Sequence, residues 1–266
     1  MKRAEPMDSF HPRTLDDVAS ERIRSVQNTF FPNLRIDCKD RPYHAGTITV
    51  MDVQGARLMV TARHVLDRDQ GNEYDIGENQ LRAAGIDGPV ELHPFQLSIL
   101  TTSDGKTLDL AILKANALDV TALAVEPISV SLVHQGELHD RLYLAACGFP
   151  SSKNSEWNWK VTRRPYSYHG LVASDSAVEK AGYDPRYYFA IEIDLKRVYR
   201  GKEKMVRAPD PSGISGGPVF VVHDFKDQTT HLPAFAGIVV ARDSEKKHLI
   251  CVRASFVDVV ARARAP

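Results

Sequence analysis

The loop Pro211-Ser212-Gly213-Ile214-Ser215-Gly216-Gly217, closed by Pro218, constrains this chain more than any other stretch. Its glycines permit a tight backbone turn, and Pro218 leads into the apolar run Val219-Phe220-Val221-Val222. A serine in such a turn presents an exposed hydroxyl. The same turn can aim two backbone N–H groups at one point, where an oxyanion would form if Ser215 attacked a carbonyl. Small-residue turns are common in proteins of this size, so the loop takes its meaning from what else the chain contains.

Two upstream segments supply that meaning. Leu58-Met59-Val60-Thr61-Ala62-Arg63-His64-Val65 reads as an apolar strand running into a histidine through a short turn. Lys106-Thr107-Leu108-Asp109-Leu110-Ala111-Ile112-Leu113 reads as a second strand with one carboxylate among apolar residues. A carboxylate there is costly to bury unless a partner accepts it. An imidazole N–H is such a partner, and the pair would hold His64 ready to take a proton from Ser215. Asp104 is the rival for the acid role, but it adjoins Gly105 in a turn, whereas Asp109 lies within the strand.

The surrounding pattern is β-rich. Gly46–Asp52 and Ala56–Thr61 read as paired strands around Val53-Gln54-Gly55, and Val90–Thr101 and Lys106–Lys114 flank a hairpin at Ser103-Asp104-Gly105. Residues 115–126 show little periodicity and suit a linker. Six more strand candidates follow: Arg141–Cys147, Lys160–Ala173, Tyr187–Leu195, Pro218–Val222, Ala234–Val240 and His248–Arg253. Short strands with turn signals argue for an all-β barrel or sandwich. Before them, residues 1–13 are polar and read as disordered. Thr14 with Asp16 and Asp17 then marks a helix start. Leu15, Ala19, Ile23, Val26 and Phe30 form one apolar stripe, predicting a helix that ends near Pro32. Such a stripe must be buried, on the flank of the β core or, alternatively, against a partner or over a cleft. Ser255-Phe256-Val257-Asp258-Val259-Val260-Ala261 reads as a capped terminal helix.

In this arrangement the chain resembles the trypsin/chymotrypsin-like serine peptidases, including their bacterial HtrA-type relatives. Thr61-Ala62-Arg63-His64, Asp109-Leu110-Ala111 and Gly213-Ile214-Ser215-Gly216-Gly217-Pro218 match the family's motifs in family order, with 45 residues from His64 to Asp109 and 106 from Asp109 to Ser215. Ala145-Ala146-Cys147-Gly148-Phe149-Pro150 is similar to a Gly-x-Pro strand end in the second barrel of HtrA-type peptidases, and Phe235-Ala236-Gly237-Ile238-Val239 to the strand lining the substrate cleft. The resemblance spans residues 42–264. It implies an all-β fold of two six-stranded antiparallel barrels: an extension at 1–40, a first barrel at 41–125 carrying His64 and Asp109, and a second at 126–266 carrying Ser215 and a C-terminal helix. It further implies that His64 is the general base, Asp109 its orienting acid and Ser215 the nucleophile, with an oxyanion hole from the amides of Gly213 and Ser215. No metal or cofactor is implied.

One departure matters. Many trypsin-like enzymes place an acidic residue just before the serine to pair with a new N-terminal amine after cleavage, and this chain has Ile214 there. That switch cannot operate, so what orders the oxyanion loop becomes a question for the structure. Ile214 and the extension suggest control by a regulatory protein partner, by substrate or by processing.

The 34 basic and 34 acidic side chains balance, which gives no argument for nucleic acid or an anionic membrane as partner. The start Met1-Lys2-Arg3-Ala4-Glu5-Pro6-Met7-Asp8 lacks a signal-peptide apolar stretch, and no run has the length of a membrane span. Cys38, Cys147 and Cys251 are odd in number and scattered, unlike a disulfide framework. A cytoplasmic protein acting on a protein or peptide is the expectation.

Substrate preference is written less directly. Six residues before Ser215, where the family often places its pocket base, lies Pro209, beside Asp210; Arg242 and His248 fall near the expected wall and rim. The reading is a neutral to basic pocket favouring small, polar or acidic side chains; the alternative puts Arg242 and His248 on an exposed hairpin beside Asp243 and Glu245. His134-Gln135-Gly136-Glu137-Leu138-His139 lacks the spacing of a zinc-binding helix. Trp157, Trp159, Tyr166 and Tyr168 alternate as on a strand packing one aromatic face, or lining an extended cleft. Arg200-Gly201-Lys202-Glu203-Lys204 reads as a solvated charged loop.

These features predict a serine endopeptidase working through an acyl-enzyme. The alternative on the same fold is a catalytically silent peptide-binding or scaffold module. An α/β-hydrolase would place its acid and histidine after the serine; 51 residues follow Ser215, and the upstream half shows hairpins instead of alternating strands and helices.

Overall fold

A computed structural model describes residues 18–19, 21–36, 42–66, 82–84, 89–91, 97–102, 104–114, 123, 125–134, 136–153, 156–157, 160–161, 164–200, 203–204, 209–225, 233–243, 245 and 247–257. Residues 1–13, the expected helix start at Thr14–Asp17, Cys38, most of the expected linker at 115–126, Trp159 and the expected terminal helix beyond 257 lie outside them.

The chain is mostly β, in two main sheets. The first holds β1 (Phe30–Ile36), β2 (Pro42–Val53), β3 (Ala56–Thr61), β4 (Arg82–Ala84), β5 (Pro89–Glu91), β6 (Leu97–Thr101), β7 (Thr107–Lys114) and β8 (Ile128–Ser129). Its order is β5-β4-β1-β2-β3-β7-β6, with β8 beside β2. After β9 (Leu142–Gly148) a small two-stranded sheet pairs β10 (Glu156–Trp157) with β11 (Lys160–Val161). The second main sheet comprises β9, β12 (Tyr166–Val172), β13 (Tyr188–Arg200), β14 (Glu203–Lys204), β15 (Pro218–Asp224), β16 (Ala234–Arg242) and β17 (His248–Arg253). There the order β12-β9-β15-β16-β17-β13 closes through a β12–β13 pairing, giving a six-stranded antiparallel barrel that leaves no open edge on its ring. The first sheet shows no such closing pair among the described residues, so of the two expected barrels the second is closed and the first is described as a sheet.

Alternation of side chains between faces builds the core. In the barrel, Leu142, Leu144, Tyr166, Tyr168, Phe189, Ile191, Val219 and Val221 point to one cluster, the interior. Their neighbours Tyr143, Ala145, Tyr188, Ala190, Phe220 and Val222 point outward and pack against Leu58, Val60, Leu108, Leu110 and Ile112 of the first sheet. The other face of that sheet buries Ile48, Val50, Met59, Ala111 and Leu113. The β2–β3 connection is a two-residue turn with Gln54 at φ 55° and Gly55 at φ 84°, the left-handed pair that matches strand twist.

The N-terminal stripe is buried as a stripe must be, but not wholly as helix. Helical residues end at 24, a 3-10 turn covers Gln27–Thr29, and Phe30–Ile36 is a strand paired with β2. Adjacent phenylalanines followed by Pro32 suit an extended chain and cannot prolong a helix. Residues 30–36, expected within the extension, therefore contribute a strand to the first sheet. Ala19, Ile23 and Val26 pack on the barrel flank, where Arg22 donates to the Val222 carbonyl and Phe30 meets Phe149 at 5.5 Å. Among the described residues no helix is long and apolar enough to cross a membrane.

Candidate functional site

His64 sits in a single 3-10 turn, Arg63–Val65, directly after β3. Asp109 lies on β7, between the buried Leu108 and Leu110. β3 and β7 are antiparallel neighbours, which brings the two residues together across 45 positions of sequence. Asp109 grips His64 at two points: Oδ1 accepts the His64 backbone N–H at 3.0 Å, and Oδ2 meets the ring Nδ1 at 2.7 Å. An ionised carboxylate only accepts, so the His64 Nδ1–H donates to it. Asp109 is tied across to the barrel as well, its own amide donating to the Tyr188 hydroxyl oxygen at 3.1 Å. Asp104, the rival acid, is committed elsewhere. It pairs with Arg186 at 2.9 Å, and the Thr102 hydroxyl together with Arg186 holds its carboxyl below the usual carboxylate range.

The serine loop leads into β15. Gly213 (φ 93°) and Gly216 (φ 88°) take the left-handed conformation that favours glycine. A Cβ on Gly216 would stand 1.9 Å from the Thr47 carbonyl oxygen, so no other residue fits. Ile214 is buried among the barrel-interior side chains. That burial and a set of hydrogen bonds hold the loop. Thr47 donates its amide to the Ser215 carbonyl at 2.8 Å and its hydroxyl to the Gly213 carbonyl at 3.1 Å. Thr49 donates its hydroxyl to the Gly216 carbonyl at 2.8 Å, and Ser151 its amide to the Ser212 carbonyl at 2.8 Å. Thr61 supports Thr47 by donating to its carbonyl at 2.8 Å. Among the described residues neither the Gly213 nor the Ser215 N–H donates a hydrogen bond.

His64, Asp109, Gly213 and Ser215 line one cleft of about 500 Å³, with Val239, Val240, Ala241 and Leu249 as apolar wall and Tyr183, Pro211 and Arg242 completing it. No hydrogen bond joins Ser215 Oγ to the His64 ring among the described residues. The four expected pocket residues part company. Arg242 lines the cleft, and Asp210 backs it, its Oδ2 accepting from Arg242 Nη1 at 2.8 Å. Pro209 is buried, its carbonyl accepting from the Tyr168 hydroxyl at 3.3 Å. His248 faces a separate cavity of about 270 Å³ with Ser174, Ser176, Lys180 and Glu245, its Nδ1 on Asp243 at 2.7 Å. Of the alternating aromatics, Tyr166 and Tyr168 fill the barrel interior. Cys147 and Cys251 are free and buried, and burial pushes both thiols up, away from nucleophilic use.

Several contributors escape sequence reasoning. Tyr188 of β13 and Tyr183 of the loop before it, their rings 4.8 Å apart, stand at the Asp109 side of the cleft, and nothing in the sequence around them signals such a role. His44 meets Ser151 Oγ at 3.0 Å, and a Cβ on Gly213 would stand 2.8 Å from its ring. Thr47 and Thr49 did leave a signal: two hydroxyls at period two, interleaved with the apolar Ile48, Val50 and Met51.

No protein-family model matches the chain, and no curated protein matches it. Among the solved structures similar to it in shape are two at low sequence identity. One comes from work on aromatic interactions that drive coupled folding and binding of the intrinsically disordered Sesbania mosaic virus VPg protein; it is 14% identical, covers 86% of this chain and 94% of that one, and has a TM-score of 0.48. The other is a thermostable serine protease, AL20, from an extremophilic microorganism; it is 12% identical, covers 90% and 99%, and has a TM-score of 0.49.

Two predictions follow from the loop and its neighbours. Thr49→Val strands the buried Gly216 carbonyl and should lower unfolding stability by about 1–3 kcal/mol in urea titration; no loss would remove Thr49 from the loop's support. Burial lowers the His44 pKa to about 4. Between that value and the ordinary 6.5, the unfolded chain binds the proton and the folded one does not. Stability should therefore fall as pH drops through this window, by up to about 1.4 kcal/mol per pH unit for this group. His134 and His223, also lowered chiefly by burial, act in the same direction. Stability curves against pH should flatten in His44→Gln; an unchanged slope would contradict the assignment.

Proposed function

We propose that this chain is a serine endopeptidase, built on a chymotrypsin-like pair of β units, in which Ser215 is the nucleophile, His64 the base and Asp109 its orienting acid. The observation that carries the reading is the two-point hold of Asp109 on His64, at 3.0 and 2.7 Å, on the cleft that Ser215 also lines. On this reading Ser215 Oγ attacks the scissile carbonyl while His64 Nε2 takes its proton. The carbonyl oxygen gains the negative charge and accepts from the Gly213 and Ser215 amides. His64 then protonates the leaving amine, and water cleaves the acyl-enzyme by the same base. The hydrogen bonds from Thr47, Thr49 and Ser151 take over the ordering that an N-terminal amine provides in trypsin-like enzymes. Regulation by a partner or by substrate would act on access to the cleft.

A second reading, a silent peptide-binding module, draws on the missing Ser215–His64 hydrogen bond. That bond is often long before substrate arrives, so the catalytic reading is preferred. Intact-mass labelling with a fluorophosphonate probe separates them. Wild type should gain one adduct and Ser215→Ala none, while Asp109→Asn should cut peptide turnover by about 10⁴ through the wrong imidazole tautomer. An unlabelled wild type, or turnover in Ser215→Ala, would overturn the proposal.

A further inference from the structure

We infer that the cleft selects an acidic side chain, Asp or Glu, next to the scissile bond, and that Arg242 is the residue that selects it; the inference rests on the serine-peptidase reading above. Among the described residues lining the cleft, Arg242 is the one permanent cation. Its side chain is 16% exposed, and its neighbours in the wall, Val239, Val240, Ala241 and Leu249, are aliphatic. A charge in such surroundings is screened less than one in water, and the planar guanidinium matches a carboxylate in shape as well as sign. Asp109, also on the cleft, has both oxygens engaged by His64 and so competes little for the cation.

Asp210 makes the selection adjustable. It stands behind Arg242 at 2.8 Å, outside the cleft lining and 48% exposed, where water screens its hold on the guanidinium. The same carboxylate accepts from the Ser212 amide at 3.0 Å and from the Ser212 hydroxyl, one residue before Gly213. A substrate carboxylate thus shares Arg242 with the group that holds the serine loop. A substrate amide of the same shape competes less with Asp210 for Arg242, and a substrate ammonium meets a like charge.

The test uses the full chain and peptides identical except for Glu, Gln or Lys before the scissile bond. Its readout is the Glu-to-Gln ratio of kcat/KM, which cancels any general loss of activity. Wild type should prefer Glu over Gln by about tenfold or more and cleave least after Lys. Arg242→Gln should bring the ratio close to one, and Asp210→Asn, by removing the competing carboxylate, should raise it above wild type. A wild-type ratio at or below one, or a ratio unmoved in Arg242→Gln, would overturn the inference. With wild-type Ser215 still labelled by the fluorophosphonate, that failure would leave the peptidase reading standing. Neither label nor cleavage would overturn both.

Discussion

Thr47 joins the two sheets where the serine loop needs support. Its amide donates to Ser215 and its hydroxyl to Gly213, while the same hydroxyl oxygen accepts the Phe149 amide at 3.2 Å. The donors are buried: Thr47, Thr49 and Thr61 are each 0% exposed. A buried carbonyl left unmatched would cost about 1–3 kcal/mol, so each hydroxyl specifies where the loop sits as well as stabilising it. The loop's two left-handed glycines can hold their conformation because β2 gives their carbonyls fixed partners.

The candidate site is divided between the sheets in consequence. His64, in the turn after β3, and Asp109, on β7, belong to the first sheet, whereas Ser215 leads into the barrel strand β15. Their relation is set by the apolar seam between Leu58, Val60, Leu110 and Ile112 on one side and Phe220, Val222 and Ala190 on the other. Tyr188 crosses that seam to accept the Asp109 amide, and Thr47 crosses it to hold Ser215. Small shifts of one sheet over the other would change the distance between Ser215 and His64 directly.

Much of this was legible in the sequence because it is local. The serine loop, the strand-to-histidine turn and the lone carboxylate at Asp109 are each visible in a window of eight residues, as are the alternating strands. Closure of the barrel through β12 and β13 was not, since the pairing joins Val172 to Ile191 across a helix and a turn. The helical stripe misled at its end, because Phe30 satisfies the helical period and yet pairs with Thr49 as a strand residue. Arg242 was legible as a pocket candidate, but its link to Asp210 spans 32 residues and depends on how β16 meets the serine loop. His248 fell to the other side of the same hairpin, since successive strand residues face opposite ways.

The central claim is that Ser215, His64 and two loop amides converge on one reacting carbonyl, with Asp109 orienting His64. A crystal structure of the phosphonylated protein tests it most directly. The account predicts the adduct on Ser215 Oγ, its phosphonyl oxygen accepting from the Gly213 and Ser215 N–H groups, and His64 still held by Asp109. An adduct on another residue, or a phosphonyl oxygen turned away from both amides, would contradict it.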